Sequence, residues 1–97
     1  MFEQQDKRIA ITFVEKLTEN EAIAVRKELL NYEIEKKLFE TVVLDLKSVK
    51  EIDFFGFQMI VYFYKYLLEF IGHNENDIIV NKSKEFINFE EKMGLKI

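Results

Sequence analysis

The chain has 97 residues, of which 48% are hydrophobic and 33% are charged, as expected of a globular protein with one core. Its formal net charge of −4 weighs against nucleic acid as a partner, which requires a concentrated basic surface, and against docking on anionic lipid. With no cysteine and one histidine, the chain lacks the residues for disulfides, thiol chemistry or a conventional zinc site, so no metal or cofactor is expected.

The first segments predict a cytoplasmic protein that begins with two strands. The N-terminal residues MFEQQDKR lack the apolar core of a signal peptide. In the following RIAITFV, apolar residues alternate with small or polar ones, which predicts a strand whose core-facing side chains are Ile9, Ile11 and Phe13. The segment from Phe2 to Gln5 is predicted to be a short partner strand.

A helix and a central strand follow. Thr18 and Glu21 have the spacing of a capping box, which predicts an amphipathic helix from Thr18 to about Lys37 that lies on a sheet. The run from Thr41 to Leu46 is short, apolar and rich in β-branched residues, as is typical of a buried central strand. Asp45, near its end, is an acid where an apolar residue would be expected.

The most hydrophobic segment, residues 54–71, is predicted to be a helix with two apolar faces. Asp53 is its predicted N-cap, and Gly72 is predicted to close it in the left-handed conformation. At the helical spacing of about 100° per residue, one face carries Phe57, Ile60, Val61, Tyr64, Leu67, Leu68 and Ile71. The opposite face carries Phe55, Met59, Tyr62, Tyr66 and Phe70. This second face either packs under the rest of the protein or binds a partner, since the polar side chains within the segment disfavour a membrane span.

The last third of the chain predicts a strand and a helix. A turn at residues 73–76 precedes a buried strand from Asp77 to Val80. Ser83 is the predicted N-cap of a helix from Lys84 to Met93, which Gly94 ends in the left-handed conformation. The inner face of this helix is predicted to carry Phe86, Phe89 or Glu90, and Met93. Strands and helices thus alternate, an order that predicts an α/β fold with an at least partly parallel sheet.

Asp45 and Asp53 are the two acids in apolar surroundings, and they leave two interpretations open. One makes them a carboxylate pair for metal binding or acid–base catalysis, because a short loop joins their strand end and helix start. The favoured interpretation is structural, with one carboxylate bonding loop amides and the other capping a helix. The lone His73 is expected in a solvated turn, and the three glycines are too far apart to build a phosphate-binding loop. No catalytic residue is therefore assigned, and the protein is not expected to be an enzyme.

Two motifs give the chain a resemblance to a known family. The strand VVLDL at 42–46 and the sequence IDFFGF at 52–57 resemble the STAS domain of sulfate transporters and anti-sigma factor antagonists, which has V-V-L-D-L and then I-D-S/T-S/T-G-L. The segments EKLTENEA and IIVNKSKEFINFEEKMGL also look like the family's entry to the first helix and its last strand and helix. The resemblance implies one STAS-like domain over 1–97, with a mixed four- to five-stranded sheet packed with three to four helices.

The chain departs from the family at the helix start. In antagonists with a phospho-switch, the second residue after the aspartate is the serine or threonine that a partner kinase phosphorylates. Here Phe54 and Phe55 occupy the two hydroxyl positions, so no phosphorylation is expected at the family site. Asp45, Asp53 and Gly56 match the family and are expected to be structural parts of the motif loop.

The resemblance implies a stand-alone, non-enzymatic regulatory module of the anti-sigma factor antagonist type, acting in bacterial signal transduction and transcription regulation. Its expected partner is an anti-sigma or serine-kinase-like regulator. An alternative is an accessory subunit on the ATPase of a lipid-transporting ABC complex, and a homodimer is a further alternative. Nucleic-acid binding and direct membrane insertion are not expected. The residues expected to contact the partner are Phe54, Phe55, Met59, Tyr62 and Tyr66.

Overall fold

A computed structural model describes residues 1–36, 39–70 and 78–97. In these residues the fold is an α/β arrangement of six strands and three α-helices. The elements are β1 (Phe2–Gln5), β2 (Arg8–Thr12), β3 (Lys16–Leu17), α1 (Glu19–Tyr32), a 3-10 turn (Ile34–Lys36), β4 (Thr41–Leu46), β5 (Glu51–Ile52), α2 (Phe54–Phe70), β6 (Ile78–Lys82) and α3 (Lys84–Met93).

The main sheet is mixed and has the strand order β1-β2-β4-β6. The first two strands are antiparallel, and β2, β4 and β6 run parallel to one another. The short strands β3 and β5 form a separate parallel pair. The predicted α/β class, the mixed sheet and the predicted partner strand Phe2–Gln5 are therefore confirmed.

The centre of the core lies on β2 and β4. Ile9, Ile11 and Phe13 are buried, as the alternating pattern predicts. In β4 the consecutive residues Val42 and Val43 are both buried, so both faces of this strand are covered. Coverage on both faces is what parallel neighbours and flanking helices produce, and it explains why the sequence of β4 is apolar without alternation.

The inner face of α2 packs into this core as predicted. Its buried members are Phe57, Ile60, Val61 and Leu67. The ring of Phe57 lies 5.5 Å from that of Phe86 and 5.2 Å from that of Phe89, between ring centroids, so it contacts α3. Ile71 and Gly72, together with the predicted turn at 73–76 and Asp77, lie outside the described residues. Within the described residues, no helix is both long enough and apolar enough to cross a membrane.

The ends of α1 differ from the prediction. Thr18 is the N-cap residue, but its hydroxyl donates a hydrogen bond to the Glu21 carboxylate and does not accept from the helix backbone. This hydrogen bond lowers the pKa of Glu21 below its ordinary value. The helix ends at Tyr32 rather than near Lys37, because Glu33 adopts the left-handed conformation with φ 54° and bonds back to Leu30.

The predicted bounds and both predicted caps of α3 are confirmed. The backbone N–H of Phe86 donates to Ser83 Oγ at 3.1 Å. Gly94 is left-handed with φ 70°, and its N–H donates to the carbonyl of Glu91. The N–H of Leu95 donates to the carbonyl of Glu90 at 3.2 Å, which completes a Schellman motif.

A buried ion pair between β6 and α3 was not predicted. Glu90 is only 4% exposed, and its carboxylate lies 3.0 Å from Lys82 Nζ. The N–H of Ile97 donates to Glu90 Oε2 at 2.9 Å, while Lys82 Nζ donates to the main-chain oxygen of Ile97 at 2.6 Å. The pair therefore joins the last parallel strand, the last helix and the segment that follows it.

Candidate functional site at the start of helix α2

A single carboxylate organises the start of α2. The N–H of Gly56 donates to Asp53 Oδ1 at 2.9 Å, which is the N-cap contact expected from the sequence. The other oxygen, Oδ2, accepts from the N–H of Glu19 at 3.0 Å, in the first turn of α1. Asp53 therefore binds free N–H groups at two helix N-termini, where a negative charge is also favoured by the helix dipoles. The sequence predicted the first contact and missed the second.

Gly56 allows α2 to begin close to the chain at β3. A Cβ atom placed on Gly56 would lie 1.9 Å from the Leu17 carbonyl oxygen and 2.9 Å from its carbonyl carbon. The first turn of α2 thus packs directly against backbone, and no side chain other than hydrogen fits between them. This contact is a physical reason for the glycine of the D-x-x-G motif.

The carboxylate of Asp45 is engaged locally. Its Oδ1 accepts from the N–H of Lys47 at 3.1 Å, and its Oδ2 lies 3.4 Å from Lys47 Nζ. The contacts of Asp45 and Asp53 are thus those of the structural interpretation: one bonds a loop amide and the other caps helices. Among the described residues, no group of three or more histidine, cysteine, aspartate or glutamate side chains could hold a metal ion.

The outward side of α2 presents aromatic side chains to solvent. Phe54 is 49% exposed, Phe55 is 52% exposed and Tyr62 is 62% exposed. The rings of Phe54 and Phe55 meet edge to face at 6.1 Å, and Gln58 Nε2 donates to the Tyr62 hydroxyl at 3.0 Å. Two large rings are therefore displayed at the positions where the STAS motif has hydroxyl residues.

The second apolar face of α2 is not wholly outward, which corrects the expectation for Met59. This residue is only 9% exposed and belongs to the core. Tyr66 is half-buried, and its ring stacks on that of Phe63 at a centroid distance of 6.3 Å. Met59 and Tyr66 line the groove between α2 and the adjacent α1, so part of this face is turned toward α1 rather than fully outward. The side chain of Phe70 lies outside the described residues.

A groove of about 590 Å³ lies between α1 and α2. Met59 lines it from α2 and is buried at its floor, whereas Phe55 and Tyr62 form an exposed rim. On the opposite rim, Ile23 and Leu30 are exposed on α1. Ile23 and Leu30 are seven residues apart and so share one helix face. The spacing of these two residues indicates this rim, but the sequence analysis did not predict it. Five exposed residues of α1 and α2 together form the apolar surface: Ile23, Leu30, Phe54, Phe55 and Tyr62.

Solved structures share this fold at low sequence identity. A region of the murine Slc26a9 anion transporter in the inward-facing state matches with a TM-score of 0.68 and 16% identity over 93% of this chain, although the match spans only 14% of the transporter. A variant of RsbS from Moorella thermoacetica matches with a TM-score of 0.59 and 12% identity, covering 97% of this chain and 96% of that one. A chain of the stressosome, described as a signal integration and transduction hub, matches with a TM-score of 0.54 and 10% identity over 97% and 98% of the two chains.

These similarities confirm the fold that the motifs predicted: the chain has the fold of a STAS domain. No protein-family model matches the sequence, and no curated protein matches it.

Removal of the double cap is expected to destabilise the protein. Replacing Asp53 by alanine removes two capping contacts worth about 1 kcal/mol each, so we expect Asp53→Ala to lower the free energy of unfolding by about 2 kcal/mol. Asp53→Asn keeps one carbonyl oxygen, and we expect it to lose about half as much. Urea unfolding followed by circular dichroism measures both. Equal stability of the two variants would contradict the division of the two caps between the two oxygens.

Proposed function

We propose that the protein is a non-enzymatic regulatory module, formed by residues 1–97, that binds another protein through the start of α2 and the apolar surface. The observation that carries this proposal is the exposure of Phe54, Phe55 and Tyr62 on a single helix. Aromatic residues are enriched in the cores of protein interfaces, and large contiguous apolar patches are uncommon on monomers.

The helix start is a rigid platform for such a contact. Asp53 fixes the first turns of α1 and α2 relative to each other, and Gly56 holds the first turn of α2 against β3. A backbone that is already held in place loses little further conformational entropy when a partner binds, which favours affinity. Because Phe54 and Phe55 cannot carry a phosphate, binding is not switched by phosphorylation at these positions.

We infer that the partner is a component of a signalling assembly, of the serine-kinase-like or anti-sigma kind. The support is the match over 96% of the RsbS chain and 98% of a stressosome chain, in which this fold makes up nearly the whole matched chain. In this function the protein acts in the cytoplasm as an antagonist of an anti-sigma factor. Binding, rather than catalysis, is its activity.

A second candidate is an accessory subunit of a transport complex, such as the ATPase of a lipid-transporting ABC system. The TM-score of 0.68 with a region of an anion transporter is the observation in its favour. The same apolar surface would serve in both cases, so the identity of the bound partner separates the two candidates.

Affinity capture tests the proposed surface. We expect the tagged protein to retain one partner from lysate of its source cells, and Tyr62→Glu to lose it, because a charge replaces an aromatic anchor worth about 2 kcal/mol or more in an interface. Ile87→Glu is the matched control, since Ile87 is also an exposed apolar residue but lies on α3. A kinase-like partner supports the first candidate and an ATPase the second. Equal loss in both variants, or retention in both, would contradict a docking site on α2.

A further inference from the structure

We propose that the groove between α1 and α2 binds a free fatty acid of medium chain length, with the alkyl chain along the groove and the carboxylate on Arg26. The groove volume of about 590 Å³ falls within the range of about 300–1,000 Å³ that small-molecule sites occupy. This proposal rests on the groove itself, whose rim residues Ile23, Leu30, Phe55 and Tyr62 also belong to the proposed docking surface.

The groove has the shape of a channel between two helices. Its lining extends from Glu19 to Ile34 on one side and from Phe55 to Tyr66 on the other. Both helices start at the Asp53 carboxylate, so the two walls run from a common end. The α2 wall covers about three helical turns, or about 16 Å along the helix axis. A single alkyl chain fits lengthwise in such a channel.

The floor of the groove is apolar and already formed. Ala22, Leu29 and Met59 line it and are buried against the core. The rims carry Ile23, Leu30, Phe55 and Tyr62, whose exposed side chains can close over an apolar ligand. A preformed apolar cleft with few polar groups is the usual form of a small-molecule site.

Arg26 gives the groove its charge preference. Its neighbours on α1 at spacings of three and four are all apolar: Ala22, Ile23, Leu29 and Leu30. In the described part of the chain, no carboxylate forms an ion pair with the Arg26 guanidinium, and it is the one cation in the lining. An arginine in an apolar stripe is well suited to a carboxylate, which it can bind with two parallel hydrogen bonds.

The one acid in the described lining does not cancel this preference. Glu19 lies in the first turn of α1, where a negative charge is favoured by the helix N-terminus. It is seven residues from Arg26, which is about 10 Å along the axis. The centre of the groove is therefore positive and its floor is apolar. An anionic head on a single alkyl chain matches both features.

Titration with sodium decanoate below its micelle concentration, followed by amide NMR at pH 7.5, tests the proposal. We expect saturable binding of one molecule, with shift changes confined to the walls of the groove. Arg26→Gln should weaken decanoate binding about tenfold, because a charge-assisted hydrogen bond is lost. The same variant should bind 1-decanol as the parent protein does, since the alcohol has no charge. Position 26 is exposed, so we expect Arg26→Gln to leave the folding of the protein unchanged.

Two further variants separate this site from general hydrophobic adsorption. Ile23→Glu places a negative charge on the rim and should abolish decanoate binding, whereas Ile87→Glu on α3 should leave it unchanged. The proposal is overturned by shift changes centred on α3, by equal decanoate affinity in Arg26→Gln and the parent, or by the absence of saturable binding. Binding to vesicles of dimyristoylphosphatidylglycerol without binding to monomeric decanoate would also overturn it, because the ligand would then be a membrane surface.

Discussion

Gly56→Ala is expected to lower the free energy of unfolding by about 3 kcal/mol or more, the upper end of the range for overpacking. The new Cβ would lie 1.9 Å from the Leu17 carbonyl oxygen, whereas real Cβ contacts are essentially never below 3.0 Å. The obstacle is backbone, so no side-chain rotation can relieve the clash. The first turn of α2 has to move away from β3, which also disturbs the hydrogen bond from Gly56 to Asp53. For a chain of this length, we expect a melting temperature about 15 °C lower.

Gly94→Ala is the control for this variant. Gly94 is also a glycine at a helix end, but a Cβ there would meet nothing within 4 Å, and the strain comes only from its left-handed backbone with φ 70°. We expect this variant to lose about 1 kcal/mol. Equal losses of stability in Gly56→Ala and Gly94→Ala on thermal unfolding would contradict the close approach of α2 to β3.

Lys82→Met is expected to destabilise the protein by about 3 kcal/mol, because it leaves the Glu90 carboxylate buried without its cation. The main-chain oxygen of Ile97 loses its hydrogen-bond donor in the same variant. Chemical unfolding at pH 7 measures the loss.

The double variant Lys82→Met with Glu90→Leu provides the internal control. Replacing both partners of a buried ion pair by apolar residues of similar volume is often neutral or stabilising. We therefore expect the double variant to be more stable than Lys82→Met alone, and the double-mutant cycle to show strong coupling. If the stability losses of Lys82→Met and Glu90→Leu added up to the loss of the double variant, Lys82 and Glu90 would not interact in solution.

Much of the fold could be predicted because its elements have strong local signals. Alternation placed Ile9, Ile11 and Phe13 in the core, and the unbroken apolar run of β4 identified the central strand. Ser83 and Gly94 marked both ends of α3 correctly, since capping residues act on the backbone next to them. The end of α1 was missed by about five residues, because nothing in the composition around Glu33 marks a left-handed residue.

The candidate site could be predicted only in part, because its contacts join distant segments. The sequence indicated that Asp53 caps α2, but the second bond of Asp53, to Glu19, is 34 residues away along the chain. The same limit applies to Met59. Helical periodicity predicts an outward position for Met59, but periodicity within α2 carries no information about α1, which packs beside α2 and leaves Met59 buried. The partner of Glu90 was likewise unreadable, because Lys82 lies on a different element.

The central claim is that the exposed aromatic side of α2 contacts a different protein. Cross-linking in living source cells tests it most directly, with the photoreactive residue p-benzoylphenylalanine at position 62 and, in a control, at position 87. We expect irradiation to yield one covalent adduct with a second protein at position 62 and none at position 87. An adduct only between two copies of this chain would identify the surface as a homodimer interface and contradict the claim. Equal labelling at both positions would contradict it as well.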